Sequence, residues 1–589
     1  MVAITREKAA ETKRSMADAF SSWSNLKQAL QVKNTLGASE GRYVDADPLW
    51  RWGIAWLTPV CADLEPTPAE KRTWDFKTYC LFYFGISFGN WTLGSTMIGI
   101  GLSWWQSIVV IFVSQTIASI VMAFNSRAAS RYHLGYPAIA RAVFGMYGSY
   151  YFVGARAVLA VVWYGIQLYS GANHVGNMLR AIFGDAYNNI PNHIPASAGI
   201  TTKEMLSFIL FWLIHLVFCF FRPYQLKKFF WFKGFIMLPA VAGVFIYCMI
   251  ESKGKVGNTL ADSTVSGGLG WAIMHGINSG MGNTATLITN QPDIARWAKN
   301  PKASVVSQIM VQPLAVTLSA TFGILATAGI NGKWDLELWN PWDLLDAIQD
   351  HHNGSGARFA IFLAALCWTI SILGTNIAAN MISFGSDAAL LWPRYIDMKR
   401  GFFIAQILGY AIVPWKILAS ASIFTTFLSG YGLFMASVVS IMVSDYFLQT
   451  NGNIATEWLF NPGKSNVHYH YHRGWNMQAV IAYLCGIALP FPGFAASLGA
   501  SGVNQAGNDM FYIGWILSFT TSFVVYNGLC KIWPTRNQQL IKDRGMGWEE
   551  CAYNPISDDS SSSAQEMGVS HVVADNSESK KEGEKEGTL

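Results

Sequence analysis

Trp163 and Gln167 lie four residues apart inside a long apolar run, so on a helix they share one face. The indole offers a flat ring for stacking, and the amide can both donate and accept hydrogen bonds. Asn376 and Asn380 have the same spacing in another apolar run. Amides are costly in lipid, so these side chains are expected to face the interior of a helix bundle. A ring beside amides suits a planar ligand with hydrogen-bonding edges, although each Asn taken singly could serve as an interhelical hydrogen bond.

Two other apolar runs are interrupted near their middle by Gly, Asn and Thr. Residues 89–96 contain Asn90, and residues 276–284 contain Asn283. The pattern predicts that both helices are broken at these points, and paired breaks in matching helices are typical of a transporter's binding site. Close helix packing through small residues is the structural alternative for either stretch alone. Together with Gln167 and Asn380, these residues place four amides on four helices, which favours a site.

Charged side chains inside the apolar runs are rare. Arg156 and Lys233 lie near the ends of their runs, where the sequence predicts that both extend to the membrane interface in a structural or gating role. Asp387 lies beyond Asn380, towards Arg394 and Lys399. A carboxylate at that point could gain and lose a proton or a salt bridge.

The elements that must position these residues are membrane helices. Of 589 residues, 52% are hydrophobic and only 13% are charged, against about a quarter in a soluble domain, which excludes a globular enzyme in water. A spanning helix needs about 20 mostly apolar residues. Twelve runs meet this condition: 79–101, 104–124, 151–182, 205–221, 229–250, 267–288, 305–329, 359–391, 401–417, 423–443, 477–491 and 511–529. We therefore predict a cytoplasmic segment at 1–78, a twelve-helix domain at 79–532 and a largely disordered cytoplasmic tail at 533–589.

The orientation follows from the distribution of Lys and Arg, which concentrate in the loops on one side. An even number of spans places both termini on that side, which the positive-inside rule makes cytoplasmic. The first 75 residues show no cleavable leader, so the first span is expected to direct insertion. The net charge of +5 comes from the inner loops and gives no reason to expect a nucleic-acid partner. The inner cations are Arg127, Arg131, Arg141, Arg222, Lys227, Lys228, Arg296, Lys299, Lys302, Arg394, Lys399, Arg400, Lys464 and Arg473.

The tail beyond Ser557 is rich in Ser, Glu and Gly and carries Lys580, Lys581 and Lys585. Its composition predicts disorder. Two interpretations of this tail remain open. It is either a solvated end or a segment that accepts ubiquitin from a ligase and controls endocytosis. The alternating His468, His470 and His472 lack an acidic or thiol partner, so we expect a loop contact there and no metal site or other cofactor.

Several stretches make the sequence recognisable. It resembles the nucleobase-cation symporter family, in the fungal branch of uracil, allantoin and uridine permeases. The stretches that carry the resemblance run from Asp63 to the twelfth predicted span: Asp63-Leu-Glu-Pro66, Gly101-Leu-Ser-Trp-Trp-Gln106, Arg156 to Gln167, Pro292-Asp293-Ile-Ala-Arg296, Asn376-Ile-Ala-Ala-Asn380, Pro393-Arg-Tyr-Ile-Asp397, and Ser429-Gly-Tyr431 through Asp445-Tyr446.

The resemblance implies an all-α fold with a five-plus-five inverted repeat, two additional C-terminal helices and alternating access around a central site. It implies that Trp163 stacks on the substrate ring while Gln167 and Asn380 bind its amide edge. It places a contact from the sixth helix near Gly282 and Asn283, where this sequence lacks the aromatic of the bacterial hydantoin transporter.

The resemblance also bears on the coupling ion. In sodium-coupled relatives a Ser-Thr pair on the eighth helix helps to hold the ion, and the matching positions here are Gly374 and Thr375. One hydroxyl is missing, which weakens an all-oxygen cation cage. Because fungal members are generally proton-coupled, we expect proton symport, with Thr375, Asn376, Asp387 and Lys299 as coupling or gating residues and sodium less favoured.

The expected function is therefore import of a nucleobase or related ureide, such as uracil, allantoin or uric acid, across the plasma membrane. A thiamine or nicotinamide riboside transporter of the same family is one alternative, and a receptor that binds without transport is another. A membrane-embedded acyl or prenyl transferase would need carboxylate or histidine clusters at a membrane face, so we do not expect an enzyme.

Overall fold

The computed structural model describes residues 22, 24–25, 64–221, 223–256, 268–393, 395–461 and 463–553. Most of the predicted N-terminal segment lies outside these ranges, as do Arg394 and the tail beyond Tyr553 with its Ser run and lysines. Within the described residues the secondary structure is helical, apart from two isolated β-bridges.

Twelve helical segments in the described residues correspond to the twelve predicted runs, and we call them spans 1 to 12. Six of these are long and apolar enough on their own to cross a membrane. The number rises to eight if each of the two bent helix pairs near the C-terminus is counted as one span. The spans are, in order, Phe76–Ser87 with Trp91–Gly99; Trp104–Tyr132; Gly148–Phe183; Thr202–Phe218; Lys227–Glu251; Leu269–Ala295; Pro301–Trp334; Ser355–Asn376 with Ile382–Leu391; Met398–Ala411; Ala421–Ser444; Met477–Ala488 with Phe491–Ser497; and Gln505–Tyr512 with Gly514–Ile532.

The packing of the spans repeats along the chain. Spans 1, 2, 6 and 7 form one group, in which span 2 contacts span 6 and span 7 contacts span 1. Spans 3, 4, 8 and 9 form a second group, in which span 3 contacts span 4 and span 8 contacts span 9. Large apolar side chains such as Phe112, Leu213, Phe235 and Leu314 point out of the bundle and are exposed, as lipid-facing positions are.

Two loops that carry arginines lie at the same end of the bundle. His133, after span 2, contacts the carbonyl oxygen of Arg296, after span 6, through its Nδ1 at 3.1 Å. These arginine-containing loops therefore lie at one end, which we call the basic end. A short helix, Pro341–His351, joins spans 7 and 8 at the opposite end, and we call it the linker helix.

The predicted break in span 1 is present. A turn of 3-10 helix, Phe88–Asn90, separates its two halves, and the amide of Asn90 donates to the Ser87 carbonyl oxygen at 2.8 Å. This side-chain bond partly replaces the backbone bonds that an interruption removes.

The predicted break in span 6 is wrong, because the helix Leu269–Ala295 is continuous through residues 276–284. Its glycines serve close packing instead. A β-carbon at Gly280 would collide with the Ser114 side chain on span 2, and one at Gly282 would collide with the Leu428 carbonyl on span 10. Small residues thus let three helices approach closely, which was the structural alternative for this stretch.

Span 8 carries an irregularity that the sequence did not predict. A π-helical turn, Ile377–Met381, lies between its two α-helical parts and contains Asn380. Such turns place an extra residue in a helix and occur frequently at functional sites. Span 9 also ends earlier than expected, at Ala411, because Val413 adopts a left-handed conformation (φ 55°) and Pro414 follows.

Candidate functional site

A cavity of about 120 Å³ lies between the two helix groups, lined from spans 1, 3, 6 and 8 with contributions from spans 7 and 10 and the linker helix. Six of the nine predicted site residues line it: Asn90, Trp163, Gln167, Asn283, Thr375 and Asn380. The three that do not are Asn376, Asp387 and Lys299. The structure therefore brings together all five residues predicted to contact substrate.

Span 3 presents Trp163 and Gln167 to the cavity side by side. The Trp163 side chain is 7% exposed, and its ring meets Phe424 of span 10 edge-on, with centroids 6.2 Å apart and the planes at 79°. Gln167 makes no hydrogen bond to any described residue, so both ends of its amide are available to a ligand. Phe427 and Tyr431 of span 10 also lie beside the Trp163 ring, with centroids 6.0 and 6.2 Å away. The aromatic neighbours of Trp163 thus come from span 10 and not from the sixth helix.

Asn376 and Asn380 form a pair in which only one member reaches the cavity. Asn376 donates to the carbonyl oxygen of Tyr164 at 3.1 Å, which ties span 8 to span 3. Asn380 in turn donates to the Asn376 side-chain oxygen at 2.9 Å. This bond fixes the orientation of Asn380, whose own oxygen is then free to accept a hydrogen bond. Asn376 positions Asn380 and does not itself line the cavity.

Asn90 and Asn283 meet across the cavity wall. The Asn283 amide donates to the Asn90 side-chain oxygen at 2.7 Å and so joins span 6 to the interruption in span 1. The two polar interruptions in the sequence therefore face each other, although only span 1 is broken.

The cavity lining combines apolar and aromatic side chains with uncharged polar ones. Among the described residues that form it there is no Asp, Glu, Lys or Arg, and the single titratable side chain is His174. A ligand charge buried there would lack an ionic partner, and an unpaired charge is costly away from water. The lining therefore favours an uncharged ligand.

Lys233 lies next to Thr375 at the edge of this cavity, and the prediction that it extends to the membrane interface is wrong. Its side chain is 1% exposed, and its ammonium donates to the Thr375 hydroxyl at 2.7 Å. The Ser371 carbonyl oxygen is its second acceptor, at 3.5 Å. Gly374 makes room for the lysine, because a β-carbon there would lie 2.6 Å from the Lys233 side chain.

Arg156 also departs from its predicted position at the interface. The side chain is 1% exposed and lies between two carboxylates, with Nη1 donating to Asp293 at 2.8 Å and Nε donating to Asp387 at 2.9 Å. The ring of Tyr136 stacks against the guanidinium, 3.9 Å from its carbon. A buried charge persists when it is paired in this way, which neither snorkelling nor the apolar pattern of span 3 predicts.

The three charges link different parts of the bundle. Arg156 and Asp387 belong to spans 3 and 8 of the same group, whereas Asp293 belongs to span 6 of the other group. The pair Arg156 and Asp293 is therefore an ionic contact between the two groups, and the described residues show no other one on this side of the cavity. Lys299 lies away from both sites, with an exposed side chain and a backbone amide that donates to the Trp74 carbonyl oxygen at 2.8 Å.

The linker helix covers the end of the cavity opposite the basic end, because Pro341 and Trp342 line it. Burial raises the pKa of the neighbouring Asp343 to about 6, more than the Asn340 amide lowers it, and Asp346 and Glu204 raise it further. A second, more polar cavity of about 390 Å³ lies beside this helix and is lined in part by Arg180 and Asp343.

Sequence reasoning missed several residues of the cavity. His174 follows Gln167 by seven residues, which is two helical turns, so the same facial argument could have included it. Gln312, Trp342 and Trp368 come from other helices, and no local spacing connects them to Trp163. The expected loop contact in the histidine triplet is present, since Nδ1 of His468 lies 2.7 Å from the Asn537 side-chain oxygen.

Comparison with known proteins agrees with this architecture. Residues 66–518 match the family described as permeases for cytosine and purines, uracil, thiamine and allantoin. The chain is 34% identical to the allantoin permease of Saccharomyces cerevisiae over 80% of its own length and 75% of the relative's. It is 32% identical to the uracil permease of the same yeast, with 82% and 78% covered. The solved structure of Mhp1, a nucleobase-cation-symport-1 family transporter in a closed conformation with bromovinylhydantoin bound, superposes with a TM-score of 0.61 at 21% identity, covering 83% of this chain and 99% of the other.

Proposed function

The chain belongs to the nucleobase-cation symporter family, and from that premise we propose that it imports an uncharged nucleobase or cyclic ureide, of the uracil, allantoin or uric acid type, by proton symport. The carrying observation is the cavity lining. A flat indole, the unpaired amide of Gln167 and the acceptor oxygen of Asn380 converge on a cavity whose described lining residues include no Asp, Glu, Lys or Arg. That set matches a planar ring with an amide edge.

In the proposed cycle the substrate enters past the linker helix and stacks on Trp163. Gln167 both donates to and accepts from the ring edge, and Asn380 accepts from a ring N–H. These contacts draw the two helix groups together, since they come from spans 3 and 8 while Asn90 and Asn283 face them from spans 1 and 6. Tighter binding to the closed form shifts the conformational equilibrium towards closure. Parting of Arg156 from Asp293 then opens the basic end.

The lining also bears on the vitamin alternative. Thiamine and nicotinamide riboside each carry a cationic ring, and among the described lining residues no carboxylate would face it. Aromatic faces can attract a cation, but a carboxylate partner would contribute more in a buried site. We therefore favour the uncharged ring.

The position of Lys233 supports proton coupling. Its ammonium binds the one hydroxyl, Thr375, that the family resemblance assigns to a sodium site. A second cation beside it would meet a like charge at close range, and a buried lysine can release and regain a proton. Lys233 thus replaces Lys299 as the lysine we place in the coupling step.

The coupling proposal is tested by measuring uptake at fixed substrate while pH, sodium and an uncoupler are varied. Uptake should rise at acidic external pH, ignore sodium and fall with the uncoupler. Lys233→Met should lose accumulation against a gradient while retaining binding, and Lys299→Met should behave as the wild type. Sodium-dependent uptake that resists the uncoupler would contradict proton symport.

The substrate proposal is tested in a yeast strain that lacks its own uracil, uridine and allantoin permeases. Labelled uracil and allantoin are offered with unlabelled uric acid, uridine and thiamine as competitors. Saturable uptake blocked by the ureides and bases, but not by thiamine, is the expected result. Competition by thiamine alone would favour the vitamin transporter, and binding without uptake would indicate a receptor.

We also propose that the protein resides in the plasma membrane with both termini in the cytoplasm, because the basic loops gather at one end of the bundle. Protease protection of tags at either terminus in intact cells tests this orientation. A ubiquitin ligase acting on the tail lysines would shorten surface lifetime, and substitution of Lys580, Lys581 and Lys585 by Arg should then lengthen it.

A further inference from the structure

His174 is a fully buried residue of the cavity to which the proposed binding of the ring assigns no role. Its imidazole stacks on Trp368 of span 8, with centroids 5.6 Å apart and the planes at 18°. Trp342 of the linker helix meets the same ring edge-on at 6.0 Å. These contacts hold the imidazole in one orientation between three helices.

Neither ring nitrogen of His174 makes a hydrogen bond of ordinary geometry to a described residue, and the side chain of Asn177, three residues further along span 3, is its polar neighbour. A neutral imidazole carries one donor and one acceptor, and leaving both unpaired in a buried position is costly. Apolar residues would fill the same space at less cost. His174 is one of the residues that line the cavity, so a bound molecule that reaches its ring can satisfy its nitrogens.

The distance from the ring-binding residues indicates which part of a ligand reaches this histidine. His174 follows Gln167 by seven residues on one helix, so their Cα atoms are about 10 Å apart along its axis. A single five- or six-membered ring held by Trp163 and Gln167 is shorter than that. A polar substituent that extends from the ring towards the linker helix would bridge the gap.

We infer that His174 binds a polar arm on the substrate, so that the preferred ligand is a heterocycle carrying a ureido or ribosyl group rather than a bare ring. This inference rests on the proposed function and narrows its substrate class. A ureido group offers N–H donors and a C=O acceptor, and a ribosyl hydroxyl can both donate and accept. Either group can therefore pair with the one donor and the one acceptor nitrogen of a neutral imidazole. His174 is then a specificity-determining residue, and Trp368 and Trp342 position it.

The test compares ligands that differ only in the arm. Hydantoin and allantoin share a ring and differ by a ureido group, and uracil and uridine differ by a ribosyl group. Inhibition constants against labelled uptake are measured for each pair. In the wild-type protein at least one armed compound should bind about three- to tenfold more tightly than its bare ring, the contribution of one or two hydrogen bonds.

Two variants separate recognition from packing. His174→Phe keeps an aromatic ring against Trp368 but removes both nitrogens, so the preference for the armed compound should disappear while the bare ring binds as before. His174→Gln restores a donor and an acceptor and should recover part of the preference. His275→Phe is the matched control, because His275 also has two unpaired, buried nitrogens, although the residue as a whole is only partly buried, and it does not line the cavity.

The outcomes are distinguishable. If bare rings bind as well as armed ones in the wild type, or if His174→Phe keeps the preference, the inference is overturned while the proposed function stands. If His174→Phe does not reach the surface, the wild-type comparison of the two ligand pairs still decides. If none of the four compounds competes, both the proposed function and this inference fail.

Discussion

At the scale of single residues, Gln167 carries the most specific part of the account. Its amide has no partner among the described residues, so a ligand edge is its natural complement. Gln167→Ala should weaken binding of the transported compound by about ten- to a hundredfold, because a buried ligand group loses its partner. Inhibition constants from uptake competition measure this effect.

The control for that substitution is Gln539→Ala, on the helix Arg536–Asp543 far from the cavity. Surface expression should be equal in both variants. A Gln167→Ala protein that transports normally would remove the amide edge from the recognition scheme.

Helical spacing predicted pairs of site residues that share a helix: Trp163 with Gln167, which both line the cavity, and Asn380 with Asn376, which positions it. Partners on different helices could not be predicted this way. Lys233 and Thr375 are separated by 142 residues, and an apolar pattern says only that a charge is buried or at an interface. Whether the charged side chain is buried or extends to the interface depends on whether another helix supplies a hydrogen-bond acceptor for it.

At the scale of helices, the contact between Arg156 and Asp293 joins two groups that must separate when the basic end opens. Asp293→Asn should weaken that contact and shift the protein towards the form open at the basic end. A cysteine placed at Ala379, which lines the cavity, should then react several-fold faster with a thiol reagent applied from that end, in an otherwise cysteine-free chain.

Asp387→Asn is the matched comparison, because Asp387 contacts Arg156 within one helix group and its removal leaves Arg156 paired with Asp293. The cysteine should react at nearly the wild-type rate in that variant. Faster labelling in Asp387→Asn than in Asp293→Asn would show that Asp387, the original gating prediction, controls opening.

The linker helix should respond to pH through Asp343. Burial raises the pKa of this carboxyl to about 6 from an ordinary value near 4, so the folded protein binds a proton more tightly than the unfolded chain does. The stability from this group is therefore full below pH 4 and is lost as pH rises through 6. Asp343→Asn should raise the melting temperature at pH 7 and flatten its pH dependence between 4 and 6.

Asp335→Asn serves as the reference, since Asp335 is exposed at the same end of the bundle. Thermal unfolding of purified protein across that pH range supplies the data. An unchanged pH dependence in Asp343→Asn would show that other groups govern it.

The order and approximate limits of the helices followed from apolar run length, because lipid requires about 20 apolar residues in each span. The continuity of span 6 did not follow. A glycine-rich stretch can either interrupt a helix or let a neighbouring helix approach. Gly280 and Gly282 allow close approach, because Ser114 and Leu428 lie where their β-carbons would be. That choice depends on the neighbouring helices, which the local sequence does not contain.

At the scale of the whole molecule, the segment after span 12 joins the bundle instead of leaving it. Glu549, 2% exposed, pairs with Arg127 at 2.7 Å and with Arg131 at 3.2 Å. Tyr446 donates to the same carboxylate at 2.9 Å. The predicted tail at 533–589 therefore begins with a part that packs on the bundle, which the structure describes as far as Tyr553.

Glu549→Ala should destabilise the protein by about 1–3 kcal/mol, because it leaves two partly buried arginines without their carboxylate. Glu550→Ala should change stability little, since Glu550 makes one local hydrogen bond, from the Gly547 amide at 2.8 Å. Thermal unfolding of the two variants measures the difference. Equal melting temperatures would mean that the ordered segment contributes nothing to the bundle.

The same observation refines experiments on the tail. Truncation after Pro534 would remove both the contact at Glu549 and the lysines, so a change in surface lifetime would have two causes. Truncation after Tyr553 keeps the contact and removes Lys580, Lys581 and Lys585. A longer surface lifetime in the second truncation alone would be attributable to the tail.

The most direct measurement is the structure of the purified protein bound to the compound it transports. We expect a planar ring stacked on Trp163, with its amide edge at Gln167 and Asn380 and any polar arm at His174. A ligand bound instead in the second cavity beside the linker helix, near Arg180 and Asp343, would show that the cavity around Trp163 does not recognise the substrate.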